Sequence, residues 1–197
     1  MRVAMIDGAV SLEQLACFKV DQVGTGNGTR HGTAVASVIL GAVGSPCADA
    51  EKIHLGSFPV LDSTGAGATA DEVADALLLA IEWGADFVNI SIDLRAGSDR
   101  LADVLQRAAE SGIVVVAAAG NRMGMPAGYP AAYGSVVSVG AADTDGSPLW
   151  SSAREGVDIY ALGAGVDVLD EDGTRHIESG TSYASAAHVR ELALSAR

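Results

Sequence analysis

Apolar positions along the chain follow two alternating patterns. Short blocks dense in Val, Ile, Leu and Ala recur at 2–6, 53–60, 86–92, 113–118, 135–140 and 157–161 and predict strands. Between them, apolar residues fall three and four positions apart, as they do on one face of a helix. Thr69-Ala70-Asp71-Glu72 has the form of a capping box, is followed by Val73, Leu77, Ala80 and Ile81 on one helical face, and is closed by Gly84. A second helix is predicted from about 98 to 111, with Leu101, Val104, Leu105 and Ala108 turned inward and a stop at Gly112. The apolar run that opens at His31 and the Ala-rich run after Gly180 predict two more. Glu171-Asp172-Gly173 signals a hairpin between 166–169 and 175–178. Strands alternating with helices imply a parallel sheet with crossover connections, so the expected fold is α/β, three layers around a mostly parallel, right-handed sheet.

Composition agrees with that layering. The chain has 197 residues, 49% of them apolar and only 19% charged, with 24 glycines. This suits a sheet covered on both faces, with tight turns and close backbone approaches. One domain spanning 1–197 is expected, with no repeats, linkers or low-complexity segments. A formal charge of −13 argues against nucleic acid or an anionic membrane as partner and leaves basic or neutral peptides open. The first residues run straight into a strand, with no signal-peptide pattern and no apolar run of bilayer length, so a cytosolic protein is expected. Cys17 and Cys47 are too few for a disulfide framework and lack metal-ligand spacing. They are expected as buried thiols, with a single disulfide or a close pair as the alternative.

Candidate chemistry begins near the end of the chain. Glu178-Ser179-Gly180-Thr181-Ser182-Tyr183-Ala184-Ser185-Ala186 places Ser182 where a loop of small residues gives way to a helix, beside backbone amides that favour negative charge. A nucleophilic serine needs a base, a group that orients the base, and donors for the oxyanion. His31, in His31-Gly32-Thr33, is the candidate base, whereas His54, His176 and His188 are expected to be structural. Asp7 ends the first strand, where open α/β sheets carry functional residues, and is positioned to orient His31. Asn121, just past the buried block ending Ala118-Ala119-Gly120, is the candidate oxyanion donor together with the Ser182 amide. Taken singly, an Asp at a strand end or an Asn after glycine is commonplace; all four in order are not.

Those residues, with Ile6-Asp7-Gly8, His31-Gly32-Thr33-Ala34-Val35-Ala36, Val88-Asn89-Ile90-Ser91, Ala118-Ala119-Gly120-Asn121, Gly128-Tyr129-Pro130-Ala131, Val139-Gly140-Ala141 and Gly180-Thr181-Ser182-Tyr183-Ala184, resemble the subtilases, the subtilisin-like serine proteases. The resemblance runs from Val3 to about Val189 and implies a subtilisin-like fold, a triad of Asp7, His31 and Ser182, Asn121 at the oxyanion and no cofactor. It also implies extended peptide substrates held by β-pairing, with Ser91, Ile92 and Asp93 on one edge and residues 117–120, including Ala118 and Gly120, on the other. Asp7-Gly8-Ala9 replaces the usual Asp-Ser/Thr-Gly and, with Ala16-Cys17-Phe18, gives a weaker similarity to proteases that mature ribosomally made peptides such as cyanobactins.

Other departures shape the expectations. Asp93 stands where the family has glycine, which narrows the pocket or favours a basic substrate residue; Arg122 favours an acidic one, and the two cues conflict. Ala186 replaces the usual proline, a change the helix should tolerate. Only fifteen residues follow Ser182 where relatives carry further elements, so the fold is expected to be shortened at this end, which leaves open that a second copy or a partner subunit covers it. The family's prodomain and its calcium-binding insertion have no counterpart here, so no strong calcium requirement and no metal site is expected; Asp170-Glu171-Asp172 reads as a solvated hairpin tip, with weak calcium binding there as the alternative. The leading reading is a serine endopeptidase that processes a precursor or leader peptide, with acyl transfer to an amine as a variant. A peptide-binding subunit with little turnover is the second class. Nucleotide binding at Gly24-Thr25-Gly26-Asn27-Gly28-Thr29 is the third, disfavoured because no Lys-Ser/Thr follows.

Overall fold

A computed structural model describes residues 1–24, 30–44, 47, 50–62 and 68–196. Seven parallel strands form the central sheet: β1 (Arg2–Asp7), β2 (Lys19–Gln22), β3 (His54–Pro59), β4 (Phe87–Ile90), β5 (Val114–Ala118), β6 (Val137–Ala142) and β7 (Ile159–Leu162). Their order is β2-β3-β1-β4-β5-β6-β7, which puts β1 near the centre and all carboxyl ends on one edge. Helices α1 (Arg30–Leu40) and α4 (Thr181–Ser195) cover one face; α2 (Ala70–Trp83) and α3 (Asp99–Glu110) cover the other. Side chains of β1 alternate between the two cores, Val3 and Met5 facing α1 and α4 while Ala4 and Ile6 face α2 and α3. Val116 of β5 joins the first core, and Val115 and Ala117 join the second. Such strands read as unbroken apolar blocks because neither face meets water.

Local signals set the helix boundaries. Thr69 and Glu72 form the reciprocal capping box, with the Glu72 amide donating to Thr69 Oγ1 at 3.2 Å and the Thr69 amide to Glu72 Oε2 at 2.8 Å. Gly84 closes α2 at φ +80°, its amide bonded to Ala80 and Ile81 carbonyls. Ser98 caps α3 through the Leu101 amide, and Leu101, Val104, Leu105 and Ala108 are its buried residues, as the periodicity predicts. β8 (Val166–Leu169) and β9 (Arg175–Glu178) make the expected antiparallel hairpin, and the Asp172 carboxylate at its tip accepts from the Thr174 amide. The hairpin packs on α1, where Leu169 donates its amide to Ser37 Oγ at 3.1 Å, and hands the chain to Gly180.

Two features depart from expectation. β2 was not foreseen: it is a four-residue edge strand whose Lys, Asp and Gln leave no apolar block to read. Cys17 and Cys47 are not buried thiols. Both are exposed and joined in a disulfide with a Cα–Cα separation of 5.7 Å, beside the starts of β2 and β3. In the cytosol, thiol reductants would keep such a pair reduced, so the bridge and the expected compartment pull in opposite directions. Residues 25–29 of the glycine-rich segment lie outside the described residues. Among the described residues, no helix is long and apolar enough to cross a membrane. No group of three or more His, Cys, Asp or Glu among them is suited to hold a metal.

Titration of the denatured, unreduced chain with a thiol reagent should find no free thiol, and two after reduction. With its ends 30 positions apart in sequence, the crosslink should stabilise the fold by about 3–4 kcal/mol relative to the reduced chain, read from urea unfolding.

Candidate active site

Asp7, the last residue of β1, is fully buried. A carboxylate there requires donors, and two are present: the Gly8 amide at 2.6 Å and His31 Nδ1 at 2.8 Å, both on Oδ1. His31 is the second residue of α1 and reaches Asp7 because that helix starts unusually close to the chain after β1. Gly32 makes the approach possible. A Cβ there would stand 2.5 Å from the carbonyl oxygens of Gly8 and Ala9. Thr33 completes the junction by accepting the Ser11 amide at 3.0 Å. With Nδ1 bound to a carboxylate acceptor, the ring carries its proton there and turns the Nε2 lone pair outward.

Ser182 is the second residue of α4. Its hydroxyl bonds the Ser91 carbonyl at 3.4 Å rather than His31, a contact long for an O–H···O bond and so cheaply exchanged. A hydroxyl network lies beneath it. Ser91 Oγ receives Asn89 Nδ2 at 2.8 Å and donates to the Ser182 carbonyl at 3.1 Å, and Ser185 Oγ donates to that same carbonyl at 3.0 Å. Asn121 follows β5 and holds the helix from the other side, its Oδ1 accepting the Thr181 amide at 3.2 Å. Asn121 Nδ2 and the Ser182 amide have no hydrogen-bond partner among the described residues. Gly180 leaves them room: at φ +152° it adopts a conformation that side chains rarely take, and a Cβ would lie 3.1 Å from Asn121 Nδ2.

All four sequence-predicted chemical residues thus stand at the carboxyl edge of the sheet. The predicted peptide-binding edges divide. Residues 91–93 lie beyond the end of β4, outside the sheet ladder. Residues 117–120 are not a pairing edge: Ala117 and Ala118 sit inside β5 between β4 and β6, and the Ala119 and Gly120 carbonyls accept the Gly128 and Ala153 amides at 3.1 and 3.0 Å. Ala118 and Gly120 therefore form a wall, their backbone already engaged. Asp93 and Arg122, the two conflicting cues, are paired: Arg122 Nε lies 2.9 and 3.0 Å from the Asp93 oxygens and Nη2 2.7 Å from Oδ1.

Residues 18–195 match the family model described as the subtilase family, peptidase S8. The chain belongs to the subtilase family. It is 36% identical over 171 residues to subtilisin amylosacchariticus of Bacillus subtilis subsp. amylosacchariticus, covering 81% of this chain and 43% of that protein. It is 31% identical over 206 residues to alkaline elastase YaB of Bacillus sp. (strain YaB), covering 98% and 53%. The chain thus spans about half the length of these relatives. Among solved structures it superposes on the prenylagaramide maturation protease PagA with a TM-score of 0.90 and 26% identity, covering 98% of this chain and 74% of that one. α4 of this subtilase continues unbroken through Ala186 where a proline is usual.

Sequence reasoning passed over Ser185, Tyr183 and Glu178. Tyr183 is buried and tilted against the His31 ring, with centroids 6.0 Å apart. Glu178, at the end of β9, acts on His31 by charge. Burial pushes the His31 pKa down, but the Asp7 charge and hydrogen bond, aided by Glu178, outweigh it and leave the net value above 6.5. The only sequence cue was the adjacency of Glu178 and Tyr183 to Ser182.

Three outcomes are expected. Gly32→Ala should force α1 outward, lowering stability by about 1–3 kcal/mol in urea unfolding and weakening the Asp7–His31 bond. A base at His31 would work only when neutral, so kcat/KM should rise with pH through a midpoint above that of an ordinary imidazole. Glu178→Gln should move that midpoint down, as measured in a pH–rate profile with a peptide substrate.

Proposed function

We propose that the chain is a serine endopeptidase that cleaves an extended peptide through an acyl-enzyme on Ser182. The observation that carries this reading is the fully buried Asp7 carboxylate bonded at 2.8 Å to a histidine at the same sheet edge as a helix-N-terminal serine. Ser182 Oγ attacks the scissile carbonyl carbon while His31 Nε2 accepts its proton. The oxyanion is received by Asn121 Nδ2 and the Ser182 amide. Collapse breaks the C–N bond, and His31 returns the proton to the leaving amine. Water then repeats the sequence, releasing the carboxylate and restoring Ser182. An amine in place of that water yields a new peptide bond, so ligation is the same chemistry with another acceptor. The similarity to a maturation protease supports a precursor peptide as substrate.

A second reading, a peptide-binding domain with little turnover that works with a second copy or a partner subunit, is favoured by one observation: the Ser182 hydroxyl rests on the Ser91 carbonyl instead of His31. A fluorophosphonate probe separates the two. Labelling of the wild type that is lost in Ser182→Ala and His31→Ala is the expected result, and a folded protein that takes no label supports the binding domain. In the active case, Asn121→Ala should lower kcat about 10²–10³-fold with little change in KM.

A further inference from the structure

We infer that the Asp93–Arg122 ion pair fills the pocket for the substrate residue that carries the scissile carbonyl, so that only a small, uncharged residue is accepted there. The inference rests on the proposed acyl transfer at Ser182. A carbonyl held by Asn121 and the Ser182 amide sets the side chain of its own residue over the gap between 91–94 and 119–122, the segments that leave the sheet beyond neighbouring strands β4 and β5. In many proteins such a gap between two backbone walls is a pocket. Here it is occupied. A Cβ built on Gly120 would fall on the Asp93 carboxylate, and one built on Gly128 would fall on both that carboxylate and the Arg122 guanidinium, so the pair lies flat across the space that the two glycines leave open.

Geometry locks the pair in place. The guanidinium meets both carboxylate oxygens in a fork, and its Nη2 also donates to the Leu94 carbonyl at 3.0 Å. Leu94 is itself tied by a reciprocal backbone pair to Tyr129, at 2.7 and 3.0 Å. Both charged side chains are less than one-third exposed. A bulky residue would have to expel the pair, and a charged one would have to compete with a partner already held two-pronged. Each member, however, is a latent receptor. Without Asp93 the guanidinium faces an empty pocket suited to a carboxylate, and without Arg122 the carboxylate faces one suited to an ammonium or guanidinium.

The test is a peptide library varied only at the residue before the cleaved bond, with rates normalised to the fraction of molecules labelled by a fluorophosphonate. Wild type should cleave after Gly, Ala or Ser on the order of 10²-fold better than after Phe, Glu or Lys. Asp93→Gly should shift preference to Glu, Arg122→Ser to Lys, and the double substitution to Phe and Leu, each by about tenfold or more. Wild-type preference for a bulky or charged residue overturns the proposal without any variant having to fold; so does an unchanged preference in folded single variants. Should the wild type take no label, the acyl-transfer reading fails by itself. Binding of product peptides that differ in their last residue, followed by calorimetry, then tests the filled pocket separately: small last residues should bind best, and indifference to the last residue overturns it.

Discussion

Asp7 holds its carboxyl group where water does not reach, and the chain after β1 and helix α1 are arranged to meet it through Oδ1. A buried carboxylate left unpaired would cost the fold several kcal/mol. Its central position in the sheet is what allows other elements to converge on it, because β1 has neighbours on both sides and every strand ends on the same edge. α1 supplies the histidine, and only a helix with glycine in its first turn can come close enough to do so. The pairing then acts on function through protonation: a ring that burial alone would keep neutral is drawn toward its charged form by the carboxylate and by Glu178. Chemistry and stability meet in one hydrogen bond.

Around the serine the design differs. No formal charge is buried there; a chain of hydroxyls and one amide, from Asn89 through Ser91 to Ser185, grips the Ser182 carbonyl, while Asn121 grips the Thr181 amide from the opposite side. Rigid placement of a nucleophile by neutral hydrogen bonds leaves the electrostatics of the site to the Asp7–His31 pair. It also leaves Asn121 Nδ2 and the Ser182 amide, the donors proposed for an oxyanion, without a partner among the described residues.

Much of this was legible in the sequence wherever the governing interaction is local. The Thr69–Glu72 capping box, the Ser98 cap and the Asp172-Gly173 turn lie within a few residues of what they control, and the unbroken apolar blocks announce strands covered on both faces. Order along the chain, with strand-end and helix-start positions, pointed to Asp7, His31, Asn121 and Ser182, and the fold places all four at the same edge of the sheet. What escaped depends on neighbours far away in sequence. A strand end does not reveal which backbone groups a third strand will occupy, so residues 117–120 read as an edge. Asp93 and Arg122, 29 positions apart, read as two opposed preferences because nothing local says that they satisfy each other. Lys19–Gln22 owes its strand to β3, and the exposed cysteines owe their bond to two connections that meet only once the sheet has formed.

Helix α4 begins on a glycine that offers no side-chain cap, and its second amide, that of Ser182, has no partner among the described residues. In the proposed acyl transfer a tetrahedral adduct would supply the missing acceptor. Such a species, or a boronate or phosphonate in its shape, finishes the first turn of the helix as a capping residue would, and the folded chain gains free energy as RT ln(1 + [L]/Kd). Under the proposed acyl transfer, occupancy of the site would therefore be read in the stability of the folded chain, the helix start being completed by the very species that the reaction passes through.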